Sequence, residues 1–354
     1  EGKDGKLWLG YVSSGISCYE ANSKKNTSYS SGNADNINAS ANTIHAFYRN
    51  KTGDLYVVKS HMIQVFNAAS NKFEPINTTL PFIDQNIFRL FSLNTIAEDS
   101  AGNLWVGTNK GIIYFDRKNN STQIINSLKK DQDSLVLSTV YDIEIDGSNN
   151  LWICCDEGLI HLNNKLRQYN RFTPYDKMML NTGHKKVYSI AYAGDNMYWL
   201  GTSEGCYQFD VQKKTFSALP NNYDLLNLEI LSLTTDNNNN LWMSTSKGIH
   251  YFSPISQSYR YFDHNDGIRN FKFNPNAISN SINNKVYFGG KNGLTIIHLD
   301  SVSEIKNSPA TVISKAIILH KGKAIREYFE VPDTIHIPSG NYALKIEFFL
   351  PDFS

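Results

Sequence analysis

Ala101–Asp116 reads AGNLWVGTNKGIIYFD, and the fold is decided by how this stretch returns along the chain. AGN supplies a tight turn through Gly102 and Asn103, residue types that accept positive φ. LWVGT then alternates, with Leu104 and Val106 on one strand face and Trp105 and Gly107 on the other. A second turn holds Gly111, and IIYFD closes a hairpin. Six further stretches place an aromatic at the Trp105 position. They are KLWLG at Trp8, DLYVV at Tyr56, NLWIC at Trp152, MYWLG at Trp199, NLWMS at Trp242 and KVYFG at Tyr287. Successive aromatics are 48, 49, 47, 47, 43 and 45 residues apart. Seven copies at that period predict an all-β fold, a seven-bladed β-propeller with four short strands per blade. A helical solenoid does not fit, because the copies alternate β-branched and aromatic residues between Gly/Asn turns.

Each blade is expected to run inner strand, Trp strand, third strand, outer strand. For the Ala101 copy these are NTIAEDS, LWVGT, GIIYFD and STQIINSL. Inner strands also precede five other copies, at Asn42, Thr139, Lys186, Glu229 and Phe273, but only Glu1 and Gly2 stand before the first turn. A seventh inner strand is therefore expected upstream of Glu1. The tryptophans are read as packing between blades, and the small Gly107 and Thr108 let neighbouring sheets approach.

The chain has 354 residues, 34 basic and 33 acidic, for a net charge of +1, which gives no electrostatic case for a nucleic-acid groove. No apolar run reaches the length of a membrane helix. Cys18, Cys154, Cys155 and Cys206 lack the paired Cys/His spacing of a zinc site. They are read as buried filler, with Cys155 where the Ala101 copy has Thr108. No cofactor and no metal is expected. Residues 21–41 form a polar outer strand or loop, and the sequons at Asn26, Asn38 and Asn77 are read as chance in an Asn/Ser/Thr-rich chain.

Domain organisation follows: a propeller over 1–300, a polar linker over 301–308, and 309–354 as three strands too few for an independent core. These last look like the opening of an immunoglobulin-like sandwich.

GNLWVGTNKGIIYFD, NNLWICCDEGLIHL and NNLWMSTSKGIHYF resemble the two-component regulator propeller repeat. DGI…FNPNA…YFGGKNGL resembles the last blade before the Y_Y_Y immunoglobulin-like domain, and the segment after Pro309 looks like that domain's start. Departures are Tyr56 for Trp, Cys154 and Cys155 in the fourth copy, and Asp300 where proline is usual. The resemblance covers essentially the whole chain. It implies the periplasmic sensor region of a hybrid two-component system of gut Bacteroidetes. There, two propellers, the sandwich, a membrane helix, a histidine kinase, a receiver and a DNA-binding module follow in order. This region itself would be non-catalytic, contact no nucleic acid, be tethered to the membrane downstream, and form a homodimer within the full receptor.

Ligands approach propellers at the face where loops converge on the channel. The turns after the Trp strands carry His61, Lys110, Glu157, Glu204, Lys247 and Lys291. The longer connections carry Asp84, Gln85 and Arg89, then Arg171, Tyr175, Lys177 and His184. Asn221, Asn222 and Tyr223 follow, then His264, Asp266 and Arg269. Guanidinium and amide groups suit sugar hydroxyls or uronates, and Tyr175 or Tyr223 could stack on a sugar ring. The leading expectation is an oligosaccharide sensor. A glycoside hydrolase or lyase using Glu157 and Glu204 is the alternative, and a protein-interaction scaffold the third.

Overall fold

The structure, a computed structural model, describes residues 5–12, 14–20, 23–29, 43–78, 80–130, 133–165, 168–173, 186–219, 225, 228–269, 272–280, 284–302, 312–328, 337 and 340–349. It is nearly all β and divides into two compact units, Glu1–Ser301 and Val302–Ser354.

Seven antiparallel sheets follow one another along the described residues of the first unit. The second to sixth, spanning 44–75, 93–125, 140–172, 187–218 and 230–262, have four strands in sequence order. The seventh, 273–298, has three. The first, 6–29, also has three, and its strand Lys6–Gly10 has no described partner on its inner side. An extra hairpin, Ser127–Lys130 with Asp133–Val136, follows the third sheet. The innermost strands of the second to seventh sheets touch in succession, and the last, Phe273–Asn280, touches the first of them, Ile44–Arg49.

In the third, fourth and sixth sheets the turn before the Trp strand is built by one carboxylate. Asp99 is buried, and its Oδ1 accepts the backbone N–H of Ala101 and Asn103. Its Oδ2 accepts the Asn103 amide at 3.0 Å and the Trp105 indole N–H at 3.2 Å. Asp236 repeats this, holding the Trp242 indole at 3.0 Å. The left-handed residue the turn needs is Gly102 at φ +83° and becomes Asn149 and Asn239 in the fourth and sixth sheets.

The aromatics are the wedge between sheets. Trp105, Trp152, Trp199 and Trp242 are all at most 2 % exposed. Each packs onto the sheet that follows: Trp152 against Phe209, Trp199 against Phe252, Trp242 against Phe288. Trp105 shares a core cluster with Ile143, Leu151 and Ile153. Tyr56 serves the second sheet in the same way. Close approach is enforced at Gly107, where a Cβ would stand 2.7 Å from Thr95 and 2.8 Å from Val140 of the next sheet.

At the opposite end, the second turn of the third, fifth and sixth sheets is closed by a hydroxyl. Thr108 Oγ1 donates to the Gly111 carbonyl at 3.0 Å and accepts the Lys110 N–H at 3.0 Å. Thr202 and Thr245 repeat both bonds. In the fourth sheet Cys155 takes the donor role, its Sγ 3.3 Å from the Gly158 carbonyl. All four cysteines are buried, and none is in a disulfide.

The second unit is described through one antiparallel sheet. Its central strand Val312–His320 lies between Lys323–Tyr328 and Tyr342–Phe349.

Candidate functional site

The turns after the Trp strands share one end of the sheets, because every sheet is antiparallel in the same strand order. Lys110, Lys247 and Lys291 are exposed there, with only backbone bonds holding them in their turns. Glu204 is half-buried, its N–H tied to Thr202. Glu157 is half-buried and committed inward, accepting both the N–H and the hydroxyl of Ser138.

The longer connections contribute less coherently. Arg89 ends the short 3-10 helix Gln85–Leu90 and is exposed. Arg171 lies not in a loop but on the outer strand Tyr169–Phe172, next to its end at this face. Strand pairing with Ile160 wins over the loop reading because the segment alternates Tyr169, Asn170, Arg171, Phe172. His264 is exposed on a one-turn helix capped by Asp263 and Asp266, and Arg269 is exposed beyond it. Tyr175, His184 and Tyr223 lie outside the described residues.

A cluster absent from the sequence expectation is assembled at this end between the fourth and fifth sheets. Asp156 Oδ1 accepts the Tyr141 phenol at 2.8 Å and the Lys186 ammonium at 2.9 Å. Its Oδ2 accepts the Ser138 hydroxyl at 3.0 Å. Tyr188 meets Tyr141 edge to face at 4.9 Å and lies beside Glu229. Burial works against charge on Asp156, but the bonds from Lys186, Tyr141 and Ser138 outweigh it and hold the carboxyl below its usual range. Its bond to Asp156 raises the Lys186 ammonium. Both phenols are pushed up, chiefly by burial and then by the carboxylates they face, so they stay neutral donors.

The arrangement offers two phenols, an ammonium and carboxylates around a shared pair of aromatic rings. It can exchange hydrogen bonds with hydroxyl groups and present ring edges to an apolar face. Its carboxylates, Asp156, Glu157 and Glu229, outnumber Lys186, which disfavours the uronate option.

The signal that could have found it is positional. Tyr141 and Tyr188 are second in their inner strands, where the other sheets carry His45, Asn94 and Leu231. That position varies freely, while the residue before it is Ile, Leu or Val in each of these sheets. Further in, Asp142 bridges sheets, accepting from Thr95 of the third and the Ile190 N–H of the fifth. Burial lifts its carboxyl to about 6.

Among the described residues no group of three or more His, Cys, Asp or Glu is arranged to hold a metal, and no helix is long and apolar enough to cross a membrane.

Comparisons place these features. Residues 91–110 match the two component regulator propeller family. No curated protein sequence matches the chain. Two similar solved structures are extracellular domains of B. thetaiotaomicron proteins described as hybrid two component systems. One, BT3049, has 22% identity and a TM-score of 0.67; the other, BT4673, has 19% and 0.63. Each match covers 92% of this chain but 43% of the other, so this chain spans less than half their length. A virginiamycin B lyase from Staphylococcus aureus is similar at 13% identity and a TM-score of 0.57, covering 83% of this chain and 91% of the lyase. The fold therefore serves receptors and an enzyme alike, and does not choose between them. Residues 91–110 are a two component regulator propeller repeat, carried in an all-β fold shared with the extracellular domains of hybrid two component systems.

Proposed function

We propose that this chain is part of the extracytoplasmic ligand-sensing region of a hybrid two-component system, and that its ligand is an oligosaccharide. The observation that carries the reading is the cluster of Tyr141, Asp156, Lys186 and Tyr188. It gathers hydroxyl-compatible donors and acceptors beside aromatic rings, at one end of the succession of inner strands. The match of residues 91–110 to the two component regulator propeller family supports a sensor over a hydrolase. So does the inward commitment of Glu157, the carboxylate that a hydrolase would pair with Glu204.

On this reading the region lies in the periplasm, 309–354 opens an immunoglobulin-like domain of the Y_Y_Y type, and a membrane-anchored histidine kinase follows in a homodimeric receptor. Signalling then requires that the sugar bind one arrangement of the region more tightly than the other, since equal affinity shifts nothing. Calorimetric titration of the extracytoplasmic region with a panel of plant and host oligosaccharides tests this. Saturable binding of one of them is expected. A well-folded protein that binds none overturns the ligand assignment.

A further inference from the structure

A cavity opens between the fourth and fifth sheets at their other end, where the turns before the Trp strands lie. It encloses about 570 Å³, within the range of small-ligand sites, and is lined by Asp146, Asn150, Trp152, His161, Tyr192 and Tyr198 among others.

The corresponding cleft between the second and third sheets is filled. There Arg117 reaches across, its Nη2 3.0 Å from the Tyr56 hydroxyl and 3.3 Å from Glu98. Arg117 follows Asp116 at the end of the third strand of its sheet. The residue following Asp210 at the same place in the fifth sheet is Val211, which lines the open cavity. A short apolar side chain thus stands where an arginine closes the sister site.

The polar groups around this cavity are also unfinished. Trp105 and Trp242 give their indole N–H to the turn aspartate of their own sheet. Asp146, the equivalent carboxylate, instead faces His161 at 3.5 Å. The Trp152 indole N–H, 2 % exposed, has no acceptor with sound geometry; the Tyr198 hydroxyl is near enough only to temper the upward push on its own phenol. On the rim, Tyr192 leaves half of its surface exposed. The site therefore holds an indole donor in need of an acceptor, an Asp146 Oδ2 whose own contacts, with Asn150 and His161, are long at 3.4 and 3.5 Å, and an open aromatic ring. An ammonium ion brings donors only and leaves the indole unsatisfied. A hydroxyl both donates and accepts, and the C–H face of a sugar ring packs on a tyrosine.

We propose that this cleft is a binding site for a single pyranose ring, with Trp152 and Asp146 bonding its hydroxyls and Tyr192 contacting its face. The proposal goes beyond the sensing reading, because the cleft lies at the opposite end of the sheets from the Tyr141–Asp156 cluster and its test stands without that cluster.

The test is ligand-observed saturation-transfer NMR with the methyl glycosides of glucose, galactose, mannose, xylose and N-acetylglucosamine, and with choline as a cationic arm. At least one glycoside should bind, with Kd in about the millimolar range for one ring. Val211→Arg, which copies the closed cleft, and Tyr192→Ala, which removes the exposed ring, should each weaken it at least about tenfold. Thermal melts establish that both variants fold, and Tyr192→Ala carries the test alone if Val211→Arg does not. Absence of transfer from every glycoside overturns the proposal, as does binding of choline alone. A glycoside signal that survives Val211→Arg and Tyr192→Ala but is lost in Lys186→Met places the sugar at the other end and also overturns it.

Discussion

Replacing Asp99 by alanine tests the architecture of the repeat through a single side chain. Asp99 accepts four hydrogen bonds, three of them from buried donors: the Asn103 N–H, the Asn103 side-chain amide and the Trp105 indole. Trp105 is fully buried, so its N–H cannot turn to water. Each stranded buried donor costs roughly 1–3 kcal/mol, and repacking recovers part, so a loss of about 3–5 kcal/mol is expected. Asp146 provides the control within the same chain. It builds the same turn through Ser148 and Asn150, but its sheet's Trp152 draws no bond from it. Asp146→Ala should therefore cost less, by about 2 kcal/mol, the share of one buried indole N–H. Urea unfolding followed by tryptophan fluorescence measures both, as the midpoint shift multiplied by the m-value. Asp236→Ala should track Asp99→Ala, because Asp236 holds Trp242 in the same way. Equal losses for Asp99→Ala and Asp146→Ala would refute the claim that the carboxylate anchors the wedge.

Three further outcomes follow from other sites. Glu144 is raised to about 7, first by burial and then by Asp142 beside it. A carboxyl whose folded pKa exceeds its unfolded value stabilises most below about pH 4 and loses that contribution as pH rises through 7. Glu144→Gln should then leave urea stability near pH 4.5 almost unchanged but raise it at pH 8 by about 1–3 kcal/mol; no gain at pH 8 would place the carboxylate in contact with solvent. Gly107→Ala puts a Cβ under 3 Å from Thr95 and Val140 and should cost about 1–3 kcal/mol, with Val140→Ala recovering part of it in the double mutant. Cys155→Thr copies the Thr108 turn and should change stability by less than about 1 kcal/mol, whereas Cys155→Val loses the bond to Gly158 and should melt lower than Cys155→Thr.

Fold class and the packing role of the tryptophans were legible because both follow from local periodicity. Trp105 alternates with Leu104 and Val106, so its face is set by the pleat, and Gly107 is small because the next sheet arrives there. The Cys155 substitution was readable for the same reason, since it occupies a fixed place in a turn. The candidate site was less legible. Its members come from three sheets and are brought together only by curvature, which one repeat does not encode: Tyr141 and Asp156 from the fourth, Lys186 and Tyr188 beside or in the fifth, Glu229 before the sixth. Loop residues drew attention because loops carry function in general. Yet Glu157 proved tied to Ser138, and Arg171 joined a strand because its neighbours pair. The role of Asp99 was hidden too, because its bond to Trp105 closes only once the turn has formed.

The most direct measurement is amide hydrogen exchange of the protein, with and without an oligosaccharide found to bind it by calorimetry. The account predicts ligand-dependent protection at 138–141, 155–158 and 186–189, the segments that carry Tyr141, Asp156, Lys186 and Tyr188, and predicts that Lys186→Met removes it. Protection confined to the outer strands, or unchanged exchange in these segments at saturating ligand, would contradict it.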